Sequence, residues 1–201
     1  MKGDAMEQVA LRRWTREEYD RMVDAGILRE GEKVELVDGE ILNKMGQGEP
    51  HATGIVLAQY ALQQAFGPGF VVRVQLPLAP DDFSEPEPDL AVLRGSPRDY
   101  DGIHPPAALL VVEVADTSLG FDRRRKAGLY ARAGIPEYWV VNLVEGRLEV
   151  HRDPEAKSDA PLGWRYASLR SLAPDERVLP LGAREEIAVA DLLPRSALRR
   201  D

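Results

Sequence analysis

Two acidic residues stand inside apolar segments of the sequence. Asp89 follows Pro88 and opens the apolar segment 90–93, and Glu113 interrupts the apolar segment 109–115. A buried β-strand is normally an unbroken run of apolar residues, and a charge placed in it costs stability unless that charge is paired or used. These two carboxylates are therefore the first candidates for chemistry.

A cationic partner follows Glu113 in the sequence. Asp122, Lys126 and Tyr130 recur every four residues in a helical pattern, so they share one face of that helix. If the strands of Asp89 and Glu113 are neighbours, both carboxylates meet at one edge of the sheet, and Lys126 can point back over that edge. The alternative is a surface ion pair between Asp122 and Lys126, worth about 0.3–0.5 kcal/mol.

Paired acids of this kind suit a hard divalent cation. Carboxylates, backbone carbonyls and water are the ligands that Mg²⁺ prefers, and the bound ion can activate a water and stabilise charge on a phosphate. A lysine beside the ion can orient the attacking water or stabilise the pentacovalent phosphate. The chemistry indicated is hydrolysis at phosphorus.

The composition narrows the class of protein. The chain has 201 residues, of which 44% are hydrophobic and 30% charged, as in a single globular domain. It has no Cys, which excludes disulfides, zinc–thiolate sites and cysteine nucleophiles. Residues 1–7 lack the apolar core of a signal peptide, and no later run is long enough to cross a bilayer. We therefore expect a cytoplasmic protein without a membrane partner.

The charge balance bears on nucleic acid as a partner. The net charge of −8 argues against broad non-specific binding to a polyanion. It does not exclude nucleic acid, because a nuclease needs acids for its metal and a local basic strip can dock the phosphate backbone. The dense basic run beside the candidate residues is Arg123–Lys126, for which a solvated helix face is the alternative reading.

The remaining patterns predict the elements that hold these residues. Thr15 and Glu18 have the spacing of a capping box that starts a first helix, Asp38-Gly39 predicts a two-residue hairpin, and His51 opens a second helix. Later segments predict strands over 70–78, 107–114, 137–143 and 147–151, a helix over 121–133, a mobile hairpin tip over 153–161, short strands at 164–167, 178–179 and 186–189, and a helical turn over 190–193.

The strand, helix and strand over 107–143 predict a right-handed crossover between two parallel strands. No internal repeat, low-complexity tract or linker divides the chain. We predict one α+β or α/β domain over residues 1–201 with a mixed central sheet. Its core spans about 14–151, and C-terminal strands and a turn follow over 162–194.

Several of these residues resemble known motifs. Pro88-Asp89, Glu113 and the downstream Lys126 resemble the PD-(D/E)XK nuclease superfamily, whose motif is Pro-Asp, a gap, then an acid, any residue and a Lys. The ordered segments 35–41, 113–118 and 130–141, with His51, resemble the Uma-type family of restriction endonucleases. Position 115, where the superfamily motif has Lys, is Ala, and Lys126 on the following helix takes its place.

The resemblance implies a restriction-endonuclease-like mixed sheet flanked by helices, and a nuclease that hydrolyses phosphodiester bonds in DNA with Mg²⁺ or Mn²⁺. It implies Asp89, Glu113 and the Val114 carbonyl as metal ligands, and Lys126 as the catalytic cation. It also implies that Glu35 assists the metal through water. The alternative for Glu35 is an outward-facing strand residue beside a hairpin.

Position also singles out His51. It opens its helix after a glycine-containing loop, which suits a phosphate contact or a general base. The alternative is a helix cap or a surface histidine. The simplest interpretation of Tyr130 and Tyr138 is that they are aromatic residues of the core.

Two other functions stay open at this point. One is a catalytically inactive nuclease fold that serves interaction with nucleic acid or protein, and the other is a metal-dependent hydrolase of another phosphorylated substrate. A homodimer is a further expectation, because cutting two strands favours two symmetric sites.

Overall fold

The computed structural model describes residues 11–29, 31–44, 46 and 48–198. Residues 1–7, which we expect not to form a signal peptide, lie outside the described residues. The helices are α1 (Arg16–Asp24), α2 (Glu49–Phe66), α3 (Leu119–Phe121), α4 (Ala127–Arg132) and α5 (Arg195–Leu198). The strands are β1 (Val34–Val37), β2 (Glu40–Asn43), β3 (Phe70–Val74), β4 (Leu90–Arg94), β5 (Leu110–Ala115), β6 (Glu137–Asn142), β7 (Arg147–Ala156), β8 (Trp164–Leu172), β9 (Arg177–Val178) and β10 (Ile187–Ala188).

Within the described residues the central sheet has six strands in the order β3-β4-β5-β6-β7-β8. The β5 and β6 strands are parallel, as predicted, and the other neighbouring pairs are antiparallel. Two further two-stranded sheets pair β1 with β2 and β9 with β10. The predicted mixed sheet of an α+β domain is confirmed.

The sheet is apolar on both faces, because helices cover each of them. Val112 and Val114 of β5 belong to the core under α2, whereas Val111 and Ala115 belong to the core under α4. Gly54 lets α2 approach closely, since a Cβ at that position would lie 2.9 Å from Val114 Cγ1. The start of α2 is thereby held over β5.

The Asp38-Gly39 hairpin forms as predicted, with positive φ angles of 52° and 79° at the two turn residues. The Thr15 capping box also forms at the start of α1. Leu36 packs under α1 in a small separate core. Because side chains alternate along a strand, the neighbouring Glu35 faces the other way, toward the central sheet.

Two segments differ clearly from the prediction. The third strand ends at Val74 instead of residue 78, because Gln75 takes a φ of 50° that breaks the extended backbone. The predicted mobile tip over 153–161 starts later than expected, because β7 continues to Ala156 and pairs with β8 as far as Trp164; residues 157–160 form the turn. Pro154 is tolerated there because it lies beyond the last residue that β7 pairs with β6, Arg152.

The last segments need only small corrections. The predicted helical turn over 190–193 is a 3₁₀ helix at Val189–Leu192, and further 3₁₀ helices cover Pro97–Tyr100 and Pro161–Gly163. None of the described helices is both long enough and apolar enough to pass through a bilayer.

Candidate active site

The two predicted acids face each other across neighbouring strands. The β4 and β5 strands are antiparallel with Leu90 opposite Val112, so Asp89 lies opposite Glu113 one step beyond the last pair. The Asp89 backbone N–H donates to Glu113 Oε2 at 3.3 Å, and the Val114 N–H donates to Asp89 Oδ2 at 2.8 Å. Both side chains are buried. Each carboxylate is therefore fixed by the strand that carries the other.

Lys126 reaches this pair of acids. Its Nζ lies 3.0 Å from Glu113 Oε1 and 3.2 Å from Glu35 Oε1. Lys126 and Asp122 are both buried, so the alternative of a surface ion pair between them is wrong. The segment between α3 and α4, Asp122–Lys126, is π-helical, a local widening that recurs at functional sites.

The Tyr130 hydroxyl also belongs to the site. Tyr130 is fully buried in the core, as predicted for a core aromatic, but its hydroxyl donates to Glu113 Oε1 at 2.8 Å. That oxygen therefore accepts from both Lys126 and Tyr130. Sequence reasoning gave Tyr130 no role in the site, although its spacing of four residues from Lys126 was the available signal.

Glu35 is buried and faces inward, so the alternative of an outward-facing strand residue is wrong. Its Oε1 pairs with Lys126, and its Oε2 accepts from the Glu87 backbone N–H at 3.2 Å. Glu87 is in turn paired with Lys44, whose Nζ lies 2.7 Å from Glu87 Oε2. The acidic loop before β4 thus holds Glu35 in place.

His51, in α2, contacts the carboxylate of Asp89. Its Nε2 is 3.2 Å from Asp89 Oδ2, and its Nδ1 is buried without a hydrogen-bond partner in the described residues. His51 is not the cap of α2, because Gly48 occupies that position. Its side chain is only 13% exposed, so it is not a surface histidine either.

Five of the six predicted site residues, Glu35, His51, Asp89, Glu113 and Lys126, thus converge on one cavity of about 80 Å³, whereas Val114 does not line it. The lining also includes residues that the sequence did not single out for the site: Asn43, Lys44, Glu87, Ser118, Phe121 and Asp122. Asp122 is the most informative of these, since its buried carboxylate accepts a hydrogen bond from the Ser118 hydroxyl. Its helical spacing from Lys126 had been noted, but sequence alone could not show that it was buried.

The carboxylates of the cavity differ in how readily they ionise. Burial, together with Asp89, Asp122 and Glu35, raises the pKa of Glu113 to about 8 despite the ammonium of Lys126. Burial likewise raises the pKa of Asp122 to about 6. Burial also opposes ionisation of Asp89, but hydrogen bonds from His51 and the Val114 N–H lower its pKa below the ordinary value.

Lys126 is held in its charged form. Burial opposes the ammonium, but the carboxylates of Glu113, Glu35 and Asp122 outweigh it and raise the pKa of Lys126 above its ordinary value. Several buried acids therefore share one ammonium. The cavity carries more potential negative charge than its own cations balance.

The donor chemistry of this cavity fits a hard divalent cation. Asp89 and Glu113 offer carboxylate oxygens, and Val114, the third predicted ligand, follows Glu113 in β5. In the described part of the chain, no three His, Asp or Glu side chains are already arranged as a metal-binding group. Both Glu113 oxygens accept hydrogen bonds, so a metal would have to replace at least one of these contacts.

The basic run beside the site is largely neutralised by acids. Arg123 pairs with Glu149 and Glu145, and Arg125 pairs with Glu40. Among the described residues of the run, only the Arg124 side chain contacts no acid; it donates to the Gly120 carbonyl. As far as the described residues show, Arg124 is the one arginine of the predicted basic strip that has no acid partner.

Comparison with known proteins places the fold and the family. A crystal structure described as a putative nuclease belonging to DUF820, from Anabaena variabilis, superimposes with a TM-score of 0.65 at 16% identity, covering 89% of this chain and 96% of that one. At this identity the likeness is one of fold, which is restriction-endonuclease-like. No curated protein matches the chain.

A family model matches residues 16–188, which include every residue of the site described above. The chain therefore belongs to the Uma2 family, whose description is "Putative restriction endonuclease".

Proposed function

We propose that this chain is a metal-dependent endonuclease that hydrolyses phosphodiester bonds in DNA. The observation that supports it most strongly is that the ammonium of Lys126 contacts both Glu113 and Glu35, in a cavity that also holds Asp89. A fixed cation beside opposed carboxylates is what hydrolysis at a phosphate requires. The family and the fold are consistent with this chemistry.

The metal ligands in this proposal are Asp89, Glu113 and the Val114 carbonyl, and the ion is Mg²⁺, with Mn²⁺ as a substitute. When bound, the ion would supply a Lewis acid that activates water and withdraws charge from the phosphate. The excess of buried carboxylates supports this assignment, because a divalent cation would balance the charge that Lys126 alone does not.

The proposal assigns separate roles to Lys126, Glu35 and His51. Since its pKa is raised, Lys126 stays protonated and acts as a fixed positive charge that stabilises the phosphate or orients water, not as a base. Glu35 holds that ammonium from the other side. His51 positions Asp89 through Nε2.

A nicking assay on supercoiled plasmid tests the proposal. We expect cleavage with Mg²⁺ or Mn²⁺ but not with EDTA, and loss of cleavage in Asp89→Asn, Glu113→Gln and Lys126→Met. Glu155→Gln serves as the control, because Glu155 is an acid that pairs with Arg165 in an exposed position. Cleavage that persists in EDTA, or that survives Glu113→Gln, would overturn the proposal.

A second candidate is a hydrolase of a smaller phosphorylated substrate. The size of the cavity, about 80 Å³, and the pairing of Arg123 and Arg125 with acids favour it, because among the described residues of the basic run only Arg124 is free of an acid and could hold a long duplex. Bis(4-nitrophenyl) phosphate separates the two functions. Its hydrolysis without cleavage of DNA or RNA would support the smaller substrate, and binding of DNA without any cleavage would support an inactive interaction protein.

A further inference from the structure

Two lysines in the described part of the chain line the cavity of the candidate active site, and they differ in how firmly they are paired. Lys126 contacts Glu35 and Glu113, whose side chains are both 5% exposed. Lys44 contacts Glu87, whose side chain is 34% exposed. A buried ion pair cannot open without leaving charges unpaired, whereas a partly exposed pair exchanges with water at little cost. Lys44 is therefore the cation that can change its partner.

The β1–β2 hairpin and the loop before β4 hold Lys44 at the cavity. Its backbone N–H donates to the Lys33 carbonyl at 2.7 Å, which extends the pairing of β1 with β2 by one residue. Its Nζ lies 2.7 Å from Glu87 Oε2 and 3.3 Å from the Glu87 carbonyl oxygen. Because the Lys44 side chain is only 15% exposed, its ammonium stays at the cavity instead of extending into solvent.

An anionic substrate that enters this cavity meets an acidic lining. Among the described residues, five carboxylates line it: Glu35, Glu87, Asp89, Glu113 and Asp122. Two of these acids already share the ammonium of Lys126. A phosphate therefore gains from a further positive group. Lys44 can supply it, because its partner Glu87 is exposed enough to turn into water as the phosphate arrives.

We propose that Lys44 binds a phosphate of the substrate backbone at the solvent-facing side of the cavity, and that Glu87 is the counter-ion that this phosphate displaces. In the free protein Glu87 neutralises Lys44, so its carboxylate competes with the substrate for the same ammonium. The proposal rests on the proposed function for the identity of the substrate. Its test measures binding as well as cleavage.

Substitution of the two partners separates substrate binding from support of the loop. If the pair only held the loop, whose Glu87 N–H donates to Glu35, loss of either side chain would weaken binding. If Glu87 competes with the phosphate, the two losses act in opposite directions. Lys44→Met should then raise the Kd for a short DNA duplex about tenfold, and Glu87→Gln should lower it about threefold. Lys44→Arg, which keeps the charge, should bind within about twofold of the wild type.

Fluorescence anisotropy of the labelled duplex at several salt concentrations, with Ca²⁺ in place of Mg²⁺, measures these constants. Lys44→Met should also reduce the slope of log Kd against log salt by about one, because one phosphate contact is lost. Lys33→Met and Glu155→Gln are the matched controls. Each removes a charge of the same sign from a residue that does not line the cavity, and binding should change by less than about twofold.

Plasmid cleavage distinguishes failure of this proposal from failure of the proposed function. Opposite shifts in Kd for Lys44→Met and Glu87→Gln support the role of Lys44 even if the wild-type chain does not cleave. A wild type that cleaves while Lys44→Met binds the duplex equally tightly, or a Glu87→Gln variant that binds more weakly, would overturn the role of Lys44 alone. A wild type that neither binds nor cleaves DNA would overturn both proposals.

Discussion

The protein buries two groups of acids whose positive partners are arranged differently. Glu35 and Glu113 share the single ammonium of Lys126 in the candidate active site. Glu137 and Glu149, on β6 and β7, are also buried, but Glu137 pairs with Arg152, and Glu149 pairs with Arg123, which it shares with the exposed Glu145. A buried acid in an apolar strand is therefore not a functional signal by itself. The two groups differ in whether a buried acid shares its cation with another buried acid.

Glu137 and Glu149, which we call the structural group, each accept several hydrogen bonds. Glu137 accepts from Arg152 Nε at 2.9 Å and Nη2 at 2.6 Å, from the Trp139 indole, and from the Leu181 backbone N–H. Glu149 accepts from Arg123 and from the Asn142 amide. Such donors compensate the cost of burying a carboxylate.

The largest expected difference between the groups is in activity. Glu113→Gln should lower plasmid cleavage by about a thousandfold, or about 4 kcal/mol of transition-state stabilisation. The metal-free variant should lose less than about 1 kcal/mol of unfolding free energy, because Lys126 keeps Glu35 as a partner. Cleavage kinetics and urea unfolding measure the two effects. If Glu113→Gln cleaved plasmid at the wild-type rate, the acids that share Lys126 would be structural as well.

The structural group should show the reverse behaviour. Arg152→Ala leaves the fully buried Glu137 without its cation, so we expect a loss of about 3–4 kcal/mol in unfolding free energy. Arg165→Ala, which breaks the exposed pair with Glu155, should cost less than about 1 kcal/mol. Urea unfolding of both variants checks this. Equal effects would mean that burial does not set the strength of these pairs.

The pH dependence of stability sharpens the description of the structural group. His151 lies beside Glu149, with Nε2 3.9 Å from Glu149 Oε2. Burial lowers the pKa of His151 from 6.5 to about 4. The unfolded chain therefore binds the proton first, and stability present above pH 6.5 falls by up to about 3 kcal/mol as the pH drops toward 4.

His151→Phe should remove that part of the acid destabilisation, because the phenyl ring keeps the contacts with Tyr138 and Tyr166 without a titrating group. Urea unfolding between pH 7 and pH 4 measures it. A variant whose stability falls as steeply as that of the wild type would contradict the assignment to His151.

A smaller effect should come from the hydroxyl that supports Glu113. Tyr130→Phe removes one of the two donors to Glu113 Oε1, and we expect about a tenfold loss of cleavage rate. Tyr166→Phe is the control, because its hydroxyl donates to the Ile135 carbonyl and does not contact Glu113. The weaker cleavage should be accompanied by weaker Mn²⁺ binding in Tyr130→Phe alone. Equal losses in both variants would reduce Tyr130 to a packing residue.

Local sequence patterns predicted much of the fold. The hairpin at Asp38-Gly39, the capping box at Thr15 and the parallel pair of β5 and β6 each follow from a short pattern with a physical cause. The extents of β7 and β8 could not be predicted, because the polar residues after Arg152 continue to pair with β8 beyond the last pair with β6. Tertiary context decided these boundaries.

The site was predictable where its signal was local. Asp89 and Glu113 stand out because each occurs in an apolar run, and the helical spacing placed Lys126 near them. The same local signal occurs at Glu137, which opens an apolar run as Asp89 does. Only the pairing with Arg152, across a strand pair, separates the two cases. The sequence also did not reveal the π-helical segment that precedes α4.

Metal binding tests the central claim most directly, because it asks whether the two groups of acids differ in function. Calorimetric titration of the metal-free chain with Mn²⁺ should give a binding isotherm that is lost in both Asp89→Asn and Glu113→Gln. Glu149→Gln, whose folding is checked by circular dichroism, should bind as the wild type does. Unchanged Mn²⁺ binding in Glu113→Gln, or equal loss in Glu149→Gln, would contradict the account.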